Sequence, residues 1–132
     1  MREILFRGKR LDNGEWEEGY YIRRADNTHF IITMQPNEYG KVEYPVIQVD
    51  PNTVGQFTGM YDRNGTKIFE GDILIDCGCF LSQNRRVFYD IHAGRFAAVR
   101  QYRSTNYLTL SDYTSEKEVI GNIHDNPELL EQ

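Results

Sequence analysis

The chain has 132 residues, of which 39% are hydrophobic and 13% aromatic, and its formal net charge is −5. This length is sufficient for one domain or two small units that bury a core without covalent cross-links, and the acidic balance excludes a general attraction to nucleic acid. Cys77 and Cys79 are separated by one residue and cannot join distant parts of a fold. Because there is also no long apolar run and no apolar leader at residues 1–4, we expect a cytoplasmic protein that does not bind membranes.

The first half of the chain is predicted to hold extended segments separated by turns. Strands are expected over residues 4–7, 16–23 and 29–34, and an Asn-Gly pair between the first two is typical of a hairpin. Residues 42–50 form a further extended run, in which Pro45 lacks a backbone donor and is expected at a sheet edge or a bulge. Four side chains of the second strand share one face, and three of them are apolar: Trp16, Glu18, Tyr20 and Ile22.

Two turn-rich segments interrupt these strands. Residues 35–40 contain Pro, Asn and Gly and are expected to form a loop. Proline disfavours helix at the preceding residue, so residues 50–55 are predicted to be a junction with at most one helical turn. This gives an N-terminal β subdomain (1–53) and a C-terminal β subdomain (54–132), either as separate units or as one compact unit.

The segment 55–74, GQFTGMYDRNGTKIFEGDIL, predicts two tight turns between short strands. Its glycines suit positive φ angles, and its aspartates suit side-chain hydrogen bonds to nearby amides. The residues assigned this structural role are Asp62, Asn64, Gly65, Gly71 and Asp72. As an alternative, three carboxylates of this segment, Asp62, Glu70 and Asp72, could converge on a hard cation such as magnesium.

The remaining chain is also expected to be extended. Strands are predicted over residues 73–79, 86–92, 95–102, 107–110 and 119–123, with a hairpin between the second and third. The polar residues of the segment 104–117 predict a mobile excursion, and a capping residue followed by proline predicts a short terminal helix over 125–130. Turn signals that recur every 8–12 residues or so favour a mainly β fold, a compact two-part sandwich or small barrel.

Four segments of the sequence resemble the YopX family, small proteins carried by phages and prophages of Gram-positive bacteria. These segments are residues 2–9, 13–20, 54–74 and 119–130, and together they span nearly the whole chain. The resemblance implies a β-rich, two-part architecture and supplies no established catalytic residues. The Cys77-Gly78-Cys79 sequence and the segment 104–115 depart from the family pattern.

The cysteine pair could supply two ligands to zinc, but a structural zinc site takes four ligands. The three histidines are scattered along the chain and offer no second pair. By strand alternation, Cys77 and Cys79 continue the face of Ile73 and Ile75, which favours small buried side chains. We therefore expect no metal and no cofactor.

A basic and aromatic stretch over residues 85–107 is the strongest candidate binding surface. Sheets that bind single-stranded nucleic acid combine cations with stacking rings. The candidate residues are Arg86, Phe88, Arg95, Phe96, Arg100, Tyr102 and Arg103. The alternative is that the rings pack inward while the arginines pair with carboxylates outside.

No nucleophile elbow, phosphate loop or metalloprotease motif occurs in the sequence. The sequence therefore predicts a non-enzymatic binding or adaptor protein that associates with itself, since open sheet edges favour this, and with an unknown host or phage protein. Two alternatives stay open, a nucleic-acid-binding module that uses residues 85–107 and an enzyme of unknown type.

Overall fold

The computed structural model describes residues 2–76, 83–99, 108–110 and 116–130. The chain divides into two compact units, Met1–Phe57 and Thr58–Gln132. Both are built of β-strands, and the helical segments Pro51–Thr53 and Pro127–Leu130 are short 3-10 turns. The prediction of a mainly β fold is thus confirmed.

The first unit contains an antiparallel sheet. Its elements are β1 (Phe6–Lys9), β2 (Trp16–Arg23), β3 (His29–Ile32), β4 (Gln35–Pro36), β5 (Val42–Glu43), β6 (Val46–Gln48), a 3-10 turn (Pro51–Thr53) and the start of β7 (Gly55–Tyr61). The strand order within this unit is β6-β3-β2-β1-β7. The β2 strand has the predicted bounds. Alternation along its length follows the antiparallel register, in which Tyr21 lies opposite Ile31.

Residues 29–48 form one long hairpin. Ile32 lies opposite Val46 and Gln35 lies opposite Glu43, so the register is the same in both parts of the hairpin. Between these pairs, the Thr33 amide donates to the Pro45 carbonyl (3.0 Å), while the proline nitrogen has no hydrogen to return. Because Gln35 and Pro36 are paired, the loop is shorter than the predicted range 35–40. Pro45 precedes β6, the edge strand of the sheet.

One face of the first sheet is buried. Ile31 and Val49 are fully buried on this face, and the Gly8 position abuts the Val49 side chain. Beside them, the Tyr21 hydroxyl is hydrogen-bonded to His29 Nδ1. This face is the apolar interior of the first unit.

The second unit begins within β7 and contains a five-stranded antiparallel sheet. Its further elements are β8 (Lys67–Phe69), β9 (Asp72–Asp76), β10 (Arg85–Asp90), β11 (Arg95–Val99), β12 (Leu108–Thr109), β13 (Lys117–Asn122) and a 3-10 turn (Pro127–Leu130). The strand order of the sheet is β12-β11-β10-β9-β13, and β8 lies beside β7.

The core of the second unit is a cluster of buried apolar residues contributed by several strands. Its members are Ile68, Leu74, Val87, Ala98 and Leu110, with Met60, Phe96 and Val119 packed against them. The family signature over residues 54–74 supplies Ile68 and Leu74, so this segment acts as core as well as turn.

Two parts of the predicted architecture are wrong. The sheets are open: in the described residues the five-stranded sheet ends at β12 and β13, which are not paired with each other, so neither a barrel nor a closed sheet forms. The predicted C-terminal helix is only a 3-10 turn, in which the Leu129 amide donates to the Asn126 carbonyl (3.1 Å). Four residues are too few to offset the cost of nucleating an α-helix.

Candidate functional site

The sheet separates the predicted basic and aromatic residues onto two faces. Phe88 lies opposite Ala97, and Tyr89 lies opposite Phe96. Because side chains alternate along a strand, Arg86, Phe88 and Arg95 share one face while Phe96 lies on the other. The described members of the predicted set therefore do not form one surface.

Phe96 faces the interior of the second unit. It packs against the core cluster, and its ring meets the Tyr89 ring edge to face, with centroids 5.1 Å apart and planes at 70°. For Phe96, this packing matches the alternative in which the rings of residues 85–107 pack inward.

The other face carries Arg86 and Phe88. The Arg86 guanidinium lies 5.3 Å from the centroid of the Phe88 ring, a cation–π contact. Arg95 is exposed and lies opposite Asp90 in the register. The other predicted members, Arg100, Tyr102 and Arg103, lie outside the described residues, as do Cys77 and Cys79 and most of the segment 104–117.

Asp62 organises the turn that the Asn-Gly pair predicted. Its Oδ1 accepts hydrogen bonds from the amides of Asn64 (2.8 Å) and Thr66 (2.9 Å), and the Gly65 amide donates to the Asp62 carbonyl (3.0 Å). Gly65 has φ +80°, a conformation that side chains disfavour. The connection is thus a type I turn followed by a left-handed glycine.

The same carboxylate also binds a strand that is distant in sequence. Asp62 Oδ2 accepts a hydrogen bond from the Val119 amide (2.9 Å), and the Arg63 amide donates to the Lys117 carbonyl (2.9 Å). Burial opposes ionisation of Asp62, but the amides of Val119, Thr66 and Asn64 outweigh it and hold the pKa below its ordinary value. The Asp62 turn is therefore bonded to β13.

Asp72 and Gly71 form the second predicted turn. Asp72 is buried, and its Oδ2 accepts a hydrogen bond from the Phe69 amide (2.8 Å). Gly71 has φ +87°, its amide donates to Val87, and its carbonyl accepts from Ile123. In the described ranges, no three histidine, cysteine or acidic residues are placed to hold a metal ion.

Lys117 is a charged residue in the interior of the second unit. It lies on β13 with 2% of its surface exposed, and burial lowers the pKa of its ammonium group to about 8. The cause is loss of solvation, which disfavours the charged form of the lysine. Sequence patterning did not identify this residue, because a single lysine in a short strand is ordinarily exposed.

The surface that the sequence missed lies on the outer face of the first sheet. Alternation along the hairpin of residues 29–48 continues through the gap at Pro45, because the register is the same on both sides. We call the apolar residues of this face the hairpin stripe. They are Tyr20, Ile22, Phe30, Ile32, Met34, Pro36, Val42, Tyr44 and Val46.

The hairpin stripe is largely open to solvent. Met34 is 70% exposed, Tyr20 66%, Tyr44 62% and Val46 60%. Of the twelve large hydrophobic side chains that are exposed in the described residues, nine lie between Ile4 and Val46. A scattered exposed apolar residue needs no explanation, whereas a contiguous patch marks a contact surface.

The two ends of the hairpin stripe differ in charge. At one end the Arg24 guanidinium lies 5.4 Å from the centroid of the Phe30 ring. At the other end the turn exposes Glu38, and Glu43 Oε1 accepts a hydrogen bond from Asn37 (3.2 Å). The first end also exposes Arg23 and Asp26, and the turn also exposes Lys41. The stripe thus runs from an end with two arginines and one carboxylate to a turn with two carboxylates and one ammonium group.

The face of β2 that carries Tyr20 and Ile22 also carries Trp16, which lies outside the stripe. Two cations of β1 lie over the Trp16 ring, with Arg7 at 4.6 Å and Lys9 at 5.5 Å from the centroid. The predicted grouping of Trp16 with Tyr20 on one face is consistent with the observed register.

These features define a β-rich protein of two units with open sheets and an exposed apolar hairpin. The YopX protein family model matches residues 5–131. The chain therefore belongs to the YopX family, which confirms the resemblance inferred from the sequence.

The chain is similar to a solved structure, that of protein EF1440 from Enterococcus faecalis. The two are 27% identical with a TM-score of 0.62, and the match covers 98% of this chain and 99% of that one. No curated protein matches this chain. In the described residues, no helix has the length and apolar character needed to cross a bilayer.

Proposed function

We propose that this protein is a non-enzymatic binding or adaptor protein, which acts through protein–protein contacts made by its hairpin stripe and associates with itself. The observation that carries this proposal is the alignment of exposed apolar side chains along one face, including Met34, Tyr44 and Val46. Covering such side chains is favourable by about 25 cal/mol per Å² of apolar surface removed from water.

The biological setting that we propose is the cytoplasm of a bacterial host in which the gene is carried by a phage or prophage. Membership of the YopX family supports this setting, and so does the similar structure from a bacterium. The partner other than a second copy is then a host or phage protein.

Site-specific photo-cross-linking in producing cells tests the proposal. A benzophenone side chain replaces Tyr44 in the stripe or, as the matched control, Tyr89 in the second unit, which is also exposed. We expect cross-linked protein from position 44 and little from position 89, and we expect Val46→Lys to abolish the product. Equal yields from both positions, or a product unaffected by Val46→Lys, would contradict the proposal.

Nucleic-acid binding through residues 85–107 stays a second candidate, favoured by the Arg86–Phe88 contact and by Arg95 on the same face. It predicts salt-sensitive binding of single strands that weakens in an Arg86→Ala, Phe88→Ala double variant. Binding that is absent at low salt, or unchanged in this variant, would exclude this surface.

A further inference from the structure

We propose that the occupant of the hairpin stripe is a second copy of this chain, packed face to face with the two hairpins antiparallel about a two-fold axis. This inference rests on the function proposed above and names the partner. It follows from the size of the stripe, from the lack of charge on the hairpin part of its face and from the charges at its ends.

The stripe is large enough for a stable contact. Six of its large side chains are between 43% and 70% exposed: Tyr20, Ile22, Met34, Val42, Tyr44 and Val46. A fully covered Tyr buries roughly 150–250 Å² and the aliphatic side chains bury less, so the exposed fractions of the six together present on the order of 600 Å² per copy. A standard interface buries about 800 Å² per partner, so the stripe supplies most of that area.

The two strands of the hairpin carry no charged side chain on the face of the stripe, and Glu18 lies on the same face of the neighbouring strand β2. The hairpin part of the face therefore suits contact with its own copy. At a two-fold interface each surface meets its own copy, so a charge near the axis would face a like charge. The edge of the sheet is a poorer route to self-association, because β6 has only three residues and the Gln48 carbonyl already accepts a hydrogen bond from the Leu11 amide (3.2 Å). The face is therefore the favoured contact.

The charges at the ends of the stripe fix the orientation. Arg24 lies over the Phe30 ring at one end, and Glu38 is exposed at the turn. A two-fold axis through the middle of the hairpin brings Arg24 of one copy beside Glu38 of the second copy, and does so twice. A parallel arrangement would instead bring like charges together, so the antiparallel one is electrostatically complementary.

Charge reversal tests this arrangement. The experiment measures dimer dissociation constants by sedimentation equilibrium for the wild type, Arg24→Glu, Glu38→Arg and an equimolar mixture of the two variants. Each single variant places like charges at both contacts, and we expect its dimer to weaken by about tenfold or more. In the mixed dimer both contacts again join opposite charges, so the mixture is expected to regain wild-type affinity.

Arg23→Glu is the matched control. It changes the net charge by the same amount one residue away, but Arg23 lies opposite His29 in the register and therefore belongs to the other face. We expect its dimer affinity to stay within twofold of the wild type. Thermal unfolding of each variant, followed by circular dichroism, verifies that the fold is retained.

Three results would overturn the inference. A wild-type protein that is monomeric at all concentrations removes the second copy as the occupant and rejects the self-association in the proposed function. The binding role of the stripe survives only if position 44 still cross-links to another protein in a manner that Val46→Lys abolishes. Loss of both the dimer and this cross-link rejects the inference and the proposed function together. A dimer that the mixture fails to restore, or that Arg23→Glu weakens equally, excludes the antiparallel arrangement.

Discussion

Two hairpins of this protein have the same turn and opposite roles. In the stripe hairpin (residues 29–48) the Asn37 side chain accepts from the amides of Tyr39 (2.9 Å) and Lys41 (3.0 Å). In the core hairpin (residues 58–69) Asp62 accepts in the same way from Asn64 and Thr66. The backbone bonds that close the two turns also correspond.

The surroundings of the two hairpins differ. The core hairpin places Ile68 in the buried cluster, and its turn aspartate also binds Val119. The stripe hairpin leaves Met34 and Tyr44 exposed. The same local chemistry therefore builds one hairpin that holds a unit together and one that presents an apolar face, and only long-range contacts distinguish them.

The largest expected difference in unfolding free energy is between lysine substitutions at an apolar position of each hairpin, Ile68 in the core hairpin and Val46 in the stripe hairpin. Ile68→Lys buries an ammonium group in the core, and we expect a loss of about 4 kcal/mol or more of unfolding free energy. At protein concentrations below the dimer dissociation constant, Val46→Lys changes an exposed position, and we expect a change within about 0.5 kcal/mol. Urea unfolding measures both, and similar losses would contradict the contrast in burial.

Removal of the turn side chains should show the next largest effect. Asp62→Ala leaves several amides without an acceptor, one of them on β13, and is expected to destabilise by about 3 kcal/mol. Asn37→Ala acts on an exposed turn and is expected to cost about 1 kcal/mol. Chemical denaturation measures both. If Asn37→Ala is less stable than Asp62→Ala, the bond from Asp62 to β13 does not stabilise the fold.

The depressed pKa of Asp62 predicts acid sensitivity of the core hairpin. A carboxylate whose folded pKa lies below its unfolded value of about 3.9 contributes stability above that value and loses it as pH falls through the folded pKa. We therefore expect Asp62→Asn to be less stable than the wild type at neutral pH and to approach it in acid. A difference between the two that stays constant with pH would contradict this linkage.

The smallest expected difference is between the turn glycines. Gly40 (φ +74°) and Gly65 (φ +80°) both have open space at the Cβ position. Alanine should therefore cost about 1–2 kcal/mol at either site, in spite of their different surroundings. Unequal losses in thermal unfolding would show that the turns are strained differently.

The sequence was sufficient to predict most of the described strands and both turns of residues 55–74, because turn residues have local causes. Gly65 is required for positive φ, and Asp62 for bonds to amides two and four residues later. The bond from Val119 to Asp62 joins residues 57 positions apart and has no local signal. Alternation likewise does not show whether the Phe96 side chain is buried or exposed, because this depends on which face of the sheet the core covers.

The hairpin stripe was missed for a related reason. Both faces of the stripe hairpin are apolar, since Ile31 is buried on one face while Val46 is exposed on the other. Alternation sorts side chains into two sets but does not say which set is covered. The apolar residues on either side of Pro45 therefore predicted a strand and could not predict a surface.

Oxidative footprinting tests most directly whether the stripe is a contact surface. Met34 (70% exposed) reports on the stripe, and Ile91 (76% exposed) on a surface of the second unit. In concentrated protein and in producing cells, we expect Met34 to be oxidised several-fold more slowly in the wild type than in Val46→Lys, with equal labelling of Ile91 in both. Equal oxidation of Met34 in the two proteins under both conditions would show that nothing covers the stripe and would contradict the account.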